Sequence, residues 1–173
     1  VAISDGGTAA VDNSGTLEAT SYNSNATGIV AYGKYADIDN SGDITVSGYD
    51  GAVGIQAIGV YGVDISNTGT ISVSTDGFGA EASGIAVEGS GYINIYNGGD
   101  IYVTSTGDGG GIPLLPYSEG ADGVGMAGIS EYSEGGQPGI ASILYGPNDV
   151  NVVNALNITV NVAGNGTGML GVT

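Results

Sequence analysis

Carboxylates are the side chains in this sequence with the most chemistry to offer. Asp and Glu number 18 against a single base, Lys34, and histidine and cysteine are both absent. Without His no Ser-His triad exists, and without Cys there is no thiolate nucleophile, disulfide or thiolate-bound metal. Abstraction of a sugar proton by a base would rest on Lys34 alone. Two chemistries stay open to carboxylates: hydrolysis of a glycosidic bond by a pair at suitable separation, and coordination of a hard cation by oxygen. Glu119, Asp122, Glu131 and Glu134 are the candidates for such a pair. Carboxylates are in such excess that their presence singles out none, and no enzyme is expected.

The segment Asp37-Ile38-Asp39-Asn40-Ser41-Gly42-Asp43 places hard oxygen ligands close together, which makes Asp37, Asp39 and Asp43 calcium candidates. It matches neither the EF-hand loop nor the Gly-Gly-x-Gly-x-Asp nonapeptide. Solvated turn acids are the competing reading, so calcium stands as a possible ligand and no other cofactor is expected.

The formal charge of −17 excludes a nucleic-acid partner, because phosphate binding needs a basic footprint. It also disfavours docking on an anionic membrane surface. Self-repulsion at this charge has to be offset by local structure, salt or bound cations. A calcium-containing medium outside the cell suits such a chain, and an extracellular or bacterial cell-surface location is expected. No stretch reads as a transmembrane span. The sequence opens at Val1-Ala2-Ile3 without a leader, so any secretion signal has been removed or lies outside it.

The elements that must position these groups come from a repeat. Its first landmark is Ala-x-Gly-Ile or a relative: Ala26-Thr27-Gly28-Ile29, Ala52-Val53-Gly54-Ile55, Ala82-Ser83-Gly84-Ile85, Ala121-Asp122-Gly123-Val124 and a last copy at Thr167-Gly168-Met169. The second is an apolar alternation closing on Asn-Ser-Gly or a variant, at Asn13, Asn40, Asn67 and Asn97, with Asn154 as a later equivalent. The third is a short strand with apolar pairs Leu17/Ala19, Ile44/Val46, Ile71/Val73, Ile101/Val103 and Ile158/Val160. Successive Asn lie 27, 27 and 30 residues apart.

A unit of that length with three short strands and Gly/Asn turns fits one coil of a three-faced solenoid, whose coils stack about 4.8 Å apart. We expect an all-β fold, a right-handed parallel β-helix of about five coils of 27–30 residues, forming a single domain over residues 1–173. The handedness follows from the usual chirality of parallel crossovers. Alternation turns Ile29/Ala31, Ile55/Ala57 and Ile85/Val87 inward on strand one, and Ile38, Val63/Ile65 and Ile93/Ile95 inward on strand two. The outward column Thr16, Asp43, Thr70, Asp100 and Asn157 never sets two Asp side by side, which avoids repulsion between directly opposed charges. The Asn at the corner between strands two and three are expected to form a ladder, where Asn tolerates left-handed backbone and each amide donates to one coil and accepts from the next.

Coils reading Ala-x-Gly-Ile-x-Ala, Val-x-Ile-x-Asn-Ser-Gly and Thr-Ile-x-Val resemble the passenger repeats of bacterial autotransporters, the β-helical surface proteins of type V secretion. The resemblance covers residues 1–104 well and 121–173 loosely. It implies a Gram-negative cell-surface or released protein whose passenger is joined to an outer-membrane barrel. No amphipathic barrel segment occurs here, so this chain corresponds at most to a passenger.

Regularity breaks between about residues 104 and 148, which hold all four prolines. Two registers compete for the fifth coil, one starting at Ala121 and one at Gly139-Ile140, and the first is preferred because it keeps the leading Ala. Long loops on rigid scaffolds often carry recognition, and this excursion holds Leu114, Leu115, Tyr117, Tyr132 and Tyr145. Packing or capping of the core is the other role open to them. Tyr32, Tyr35, Tyr61 and Tyr92 fall near the corner between strands one and two, where they can pack over turns, stack on sugars or meet a neighbouring subunit. Outward Thr and Ser on strand three hint at an ice-binding array, but Glu18, Asp43, Asp100 and Tyr102 interrupt it.

Val1 and Ile3 align with Ile55/Ala57, and Met169 to Thr173 end in the equivalent strand, so the chain is cut in the same phase at both termini. Neither end has a polar cap. The expected partner is therefore the chain itself, stacked head to tail into a filament, or flanking coils of a longer passenger. The function that follows is an extracellular structural fibre or surface module. An adhesin binding glycans or surfaces is the alternative.

Overall fold

The computed structural model describes residues 1–77, 80–106, 123–130, 150–162 and 166–172, and every regular element among them is a β-strand. Short alternating runs bounded by Gly, Asn and Ser leave no stretch with helical periodicity, and each strand finds its partner one repeat away. The first turn comprises β1 (Ala2–Ile3), β2 (Thr8–Asn13) and β3 (Leu17–Ser21). In the second, β4 (Asn25–Asn40) bends mid-length to serve as strands one and two, and β5 (Ile44–Gly48) follows. The third repeats this with β6 (Gly51–Asn67) and β7 (Ile71–Thr75). The fourth is split into β8 (Glu81–Gly89), β9 (Tyr92–Asn97) and β10 (Ile101–Ser105). Beyond it lie β11 (Gly123–Ser130), β12 (Val150–Asn154), β13 (Ile158–Val162) and β14 (Gly166–Val172).

All pairings among the described residues are parallel. Strand one runs β1-β4-β6-β8-β11-β14, strand two continues on the same bent sheet through β2, β4, β6, β9 and β12, and strand three forms a separate sheet β3-β5-β7-β10-β13. The rest of each coil is the crossover that a parallel pair requires. The result is a parallel β-solenoid. About four turns are complete, slightly fewer than the five expected, because the fifth passes through residues outside those described.

The inward columns are those the alternation selects. Ile29, Ile55 and Ile85, then Ile38, Ile65 and Ile95, then Val46, Val73 and Val103 are all buried and belong to one core. Each such side chain removed from water contributes about 1.5–3 kcal/mol. At the first turn Leu17 and Ala19 are only partly buried. Ala9 and Ala36 complete strand two, where small residues fill the core beside the corner.

Two registers differ from expectation. Ala2, not Ile3, pairs with Ala31 and so shares a column with Ala57, and Val1 and Ile3 stay exposed at 87% and 68%. A slip of one residue exchanges the two faces of a strand, and the narrow column accepts the smaller methyl. In the fifth turn the preferred segment does pair with β8, but two residues later: Gly123 pairs with Ala82 and Met126 with Ile85, in place of Ala121 and Val124. Met126 pairs in turn with Met169. An even shift preserves the alternation, so hydrophobic patterning alone does not detect it.

Candidate functional site

The Asn ladder forms as expected and runs in one direction. Asn13 Nδ2 donates to Asn40 Oδ1 at 2.7 Å, Asn40 to Asn67 at 2.6 Å, Asn67 to Asn97 at 2.6 Å and Asn97 to Asn154 at 2.7 Å. The second hydrogen of each amide goes to the carbonyl two residues on, Gly15, Gly42, Gly69, Gly99 and Leu156 in turn. Asn40, Asn67 and Asn97 are buried. The Asn are the last residues of strand two, paired in register, so the extended strand and not a left-handed corner presents them. The residue after each rung donates its backbone N–H to the preceding rung's carbonyl, as Thr68 does to Asn40 at 2.8 Å. The glycines that follow stack so closely that a Cβ on Gly69 would lie 2.0 Å from the Gly42 oxygen.

The outward column beside the ladder does more than separate charges. Asp43 Oδ1 accepts from the Thr70 backbone N–H of the next coil at 3.0 Å, and Asp100 Oδ1 accepts from the Asn157 backbone at 3.1 Å and its amide at 3.2 Å. Alternate coils thus supply an acceptor and a donor.

A second buried polar pair, missed in the sequence reading, closes strand three. Thr75 Oγ1 donates to Ser105 Oγ at 2.8 Å, and Ser105 Oγ donates to the Ala80 carbonyl at 3.0 Å. The signal was a hydroxyl residue recurring in an otherwise inward apolar position.

Strand two's outer surface gathers the tyrosines and acids. In register its rows read Ala10 and Asp12, then Tyr35, Asp37 and Asp39, then Gly62, Asp64 and Ser66, then Tyr92, Asn94 and Tyr96. Asp12 therefore stands beside Asp39, and Asp37 beside Asp64, one coil apart. Directly opposed like charges disfavour pairing, here tempered by solvent screening. Asp64 offsets this by accepting from Tyr92 Oη and from Asn94 Nδ2, both at 2.9 Å. The hydrogen bond to Asp64 raises the Tyr92 phenol above its ordinary range, with burial and the Asp64 charge adding to the effect. The Tyr35 and Tyr61 ring centroids are 5.9 Å apart, tilted by 55°, and the Lys34 ammonium sits 5.9 Å from the Tyr61 centroid. Tyr32 is also exposed at this edge.

The calcium candidates are not brought together. Asp37 and Asp39 project from strand two, whereas Asp43 opens strand three and is engaged with Thr70. Among the described residues no group of three or more acidic side chains is placed to hold a metal ion. Leu114, Leu115, Tyr117, Tyr132 and Tyr145 lie outside the described residues, as do Glu119, Asp122, Glu131 and Glu134. Among the described residues no helix is long and apolar enough to cross a membrane. Comparison with protein-family models, with curated proteins and with solved structures returns no match.

Proposed function

We propose that this chain is a stiff structural module of the cell exterior, a fibre subunit or surface passenger that continues along its axis by stacking on a further coil. That coil belongs to a second copy of the chain or to flanking sequence. The observation that carries the reading is the single polarity of the Asn ladder. Every rung donates to the next, so Asn13 offers a carboxamide oxygen at one end of the described stack and Asn154 retains an N–H at the other. An added coil in the same phase meets complementary groups at either end, together with the strand edges around them. Buried rungs with their hydrogen bonds satisfied rigidify the stack from coil to coil.

The exterior location is supported by composition: −17 net charge with one basic residue suits a medium that supplies cations. The repeat's similarity to autotransporter passengers points the same way. Electron microscopy and sedimentation velocity of the purified chain, over a range of concentrations with and without calcium, test the stacking. Particles of constant width and lengths in multiples of one subunit are expected for the fibre. Monomers under every condition would remove the fibre form, and monomers that also fail to lengthen when an extra consensus coil is fused at either end would remove axial continuation altogether.

A further inference from the structure

The outer face of strand two carries features that an axial scaffold does not require. Along β9, Tyr92, Asn94 and Tyr96 alternate outward and exposed, so two phenol rings flank a carboxamide over about 13 Å at the usual strand rise. One coil away, Asp64 pins two of the three through its bonds to Tyr92 Oη and Asn94 Nδ2. Gly62 makes this possible, since the Tyr92 ring occupies the space a Cβ would need, with Cε1 only 2.3 Å from that position. With one of its two amide hydrogens given to Asp64, Asn94 presents its oxygen as an acceptor and its other hydrogen as a donor. Beside this row an open groove of about 290 Å³ runs over Asp37, Asp39, Ser66 and Tyr96. No partner for the Asp37 and Asp39 carboxylates is found among the described residues, and both are exposed.

We propose that this face binds a neutral saccharide chain. Sugar C–H faces stack on the rings of Tyr92 and Tyr96, and sugar hydroxyls donate to Asp37, Asp39 and the Asn94 oxygen. Tyr92 and Asn94 are held by Asp64 before any ligand arrives, which lowers the ordering cost of binding. Three carboxylates in the groove and a net charge of −17 repel uronic, sialylated or sulfated sugars, so the class is neutral. A cationic peptide is the competing occupant, since it can use the acids and, by cation–π contact, the rings, and the hexalysine arm of the test separates the two.

Isothermal titration of the full chain with maltohexaose, cellohexaose and chitohexaose, against hexagalacturonate and hexalysine, tests the proposal. At least one neutral hexasaccharide is expected to bind, and Tyr96→Ala is expected to weaken it about three- to tenfold. Tyr102→Ala, on strand three, should leave binding unchanged. Asn94→Ala supplies an independent reading should the Tyr96 variant fail to fold. No binding of any neutral hexasaccharide at about 10 mM overturns the proposal. So does preference for hexagalacturonate or hexalysine, or undiminished affinity in a folded Tyr96→Ala or Asn94→Ala protein.

Discussion

Asn67 donates one amide hydrogen to Asn97 Oδ1 at 2.6 Å, one repeat ahead, and the other to its own turn at Gly69 O, 2.8 Å away. A single side chain thereby ties two coils together and shapes the corner between strands two and three. Its own oxygen is taken by Asn40 at 2.6 Å.

Replacing Asn67 with Leu leaves one Asn40 amide hydrogen, the Asn97 oxygen and the Gly69 carbonyl without their side-chain partner, while the other Asn40 hydrogen stays on Gly42. At about 1–3 kcal/mol for each of the three orphaned groups, the expected loss is about 3–9 kcal/mol. Urea denaturation followed by circular dichroism measures it. Asn13→Leu, at a half-exposed rung, should cost clearly less, and equal losses at both sites would contradict the ladder's role.

Gly69→Ala sets a Cβ against a backbone oxygen of the neighbouring coil, which has no rotamer to yield. A destabilisation of about 3 kcal/mol, the upper end for overpacking, is expected. Gly15→Ala is the internal control, since nothing lies within 4 Å of its Cβ position. Thermal melts of the two variants should separate widely.

Ile55 sits fully buried at the centre of the strand-one column. Truncation to Ala is expected to cost about 2–5 kcal/mol, as for other large-to-small core changes. Leu17, partly buried at the first turn, should cost nearer 1 kcal/mol on truncation, because less apolar surface is lost. Chemical denaturation of both variants checks the gradient from centre to end.

The Tyr92 phenol should ionise above the ordinary phenol range. The hydrogen bond to Asp64 favours the neutral phenol, so the folded-state value lies above that of the unfolded chain. Its contribution to stability is then present below the ordinary phenol range and is lost as pH rises through the raised value. Phenolate absorbance titration of wild type minus Tyr92→Phe isolates this group. Asp64→Ala should return it toward the ordinary range, and an unmoved midpoint would show that Asp64 is not the cause.

Much of this architecture was legible because it repeats. The Asn at 13, 40, 67, 97 and 154 and the apolar pairs of each strand recur at one coil length, and alternation decides which of them face inward. The ladder could be foreseen because equal spacing in a parallel stack superposes like residues. Calcium coordination by Asp37, Asp39 and Asp43 was not supported by the geometry, since nearness in sequence is divided there between two faces meeting at a corner. The link between Asp43 and Thr70 and the pair Thr75 and Ser105 were not read in advance, because both join neighbouring coils through side chains whose reach depends on backbone placement.

The sequence by itself determined the inward columns of the second to fourth coils, the parallel stacking and the ladder, because there the Asn landmarks fix the register and a period of two within strands then selects the buried neighbours. At the first and fifth coils the register was left to the structure. Only the tertiary structure decided how the outer faces assemble. From Gly33 to Tyr35 the second coil takes one residue fewer than the third does from Gly59 to Gly62, and this brings Tyr35 into line with Gly62 and, through it, Tyr92. Corner length carries no hydrophobic signature, since its residues face water whichever way the count falls. That the Tyr92 ring covers Gly62 and that its hydroxyl and the Asn94 amide both reach Asp64 became visible only once the coils were laid on one another.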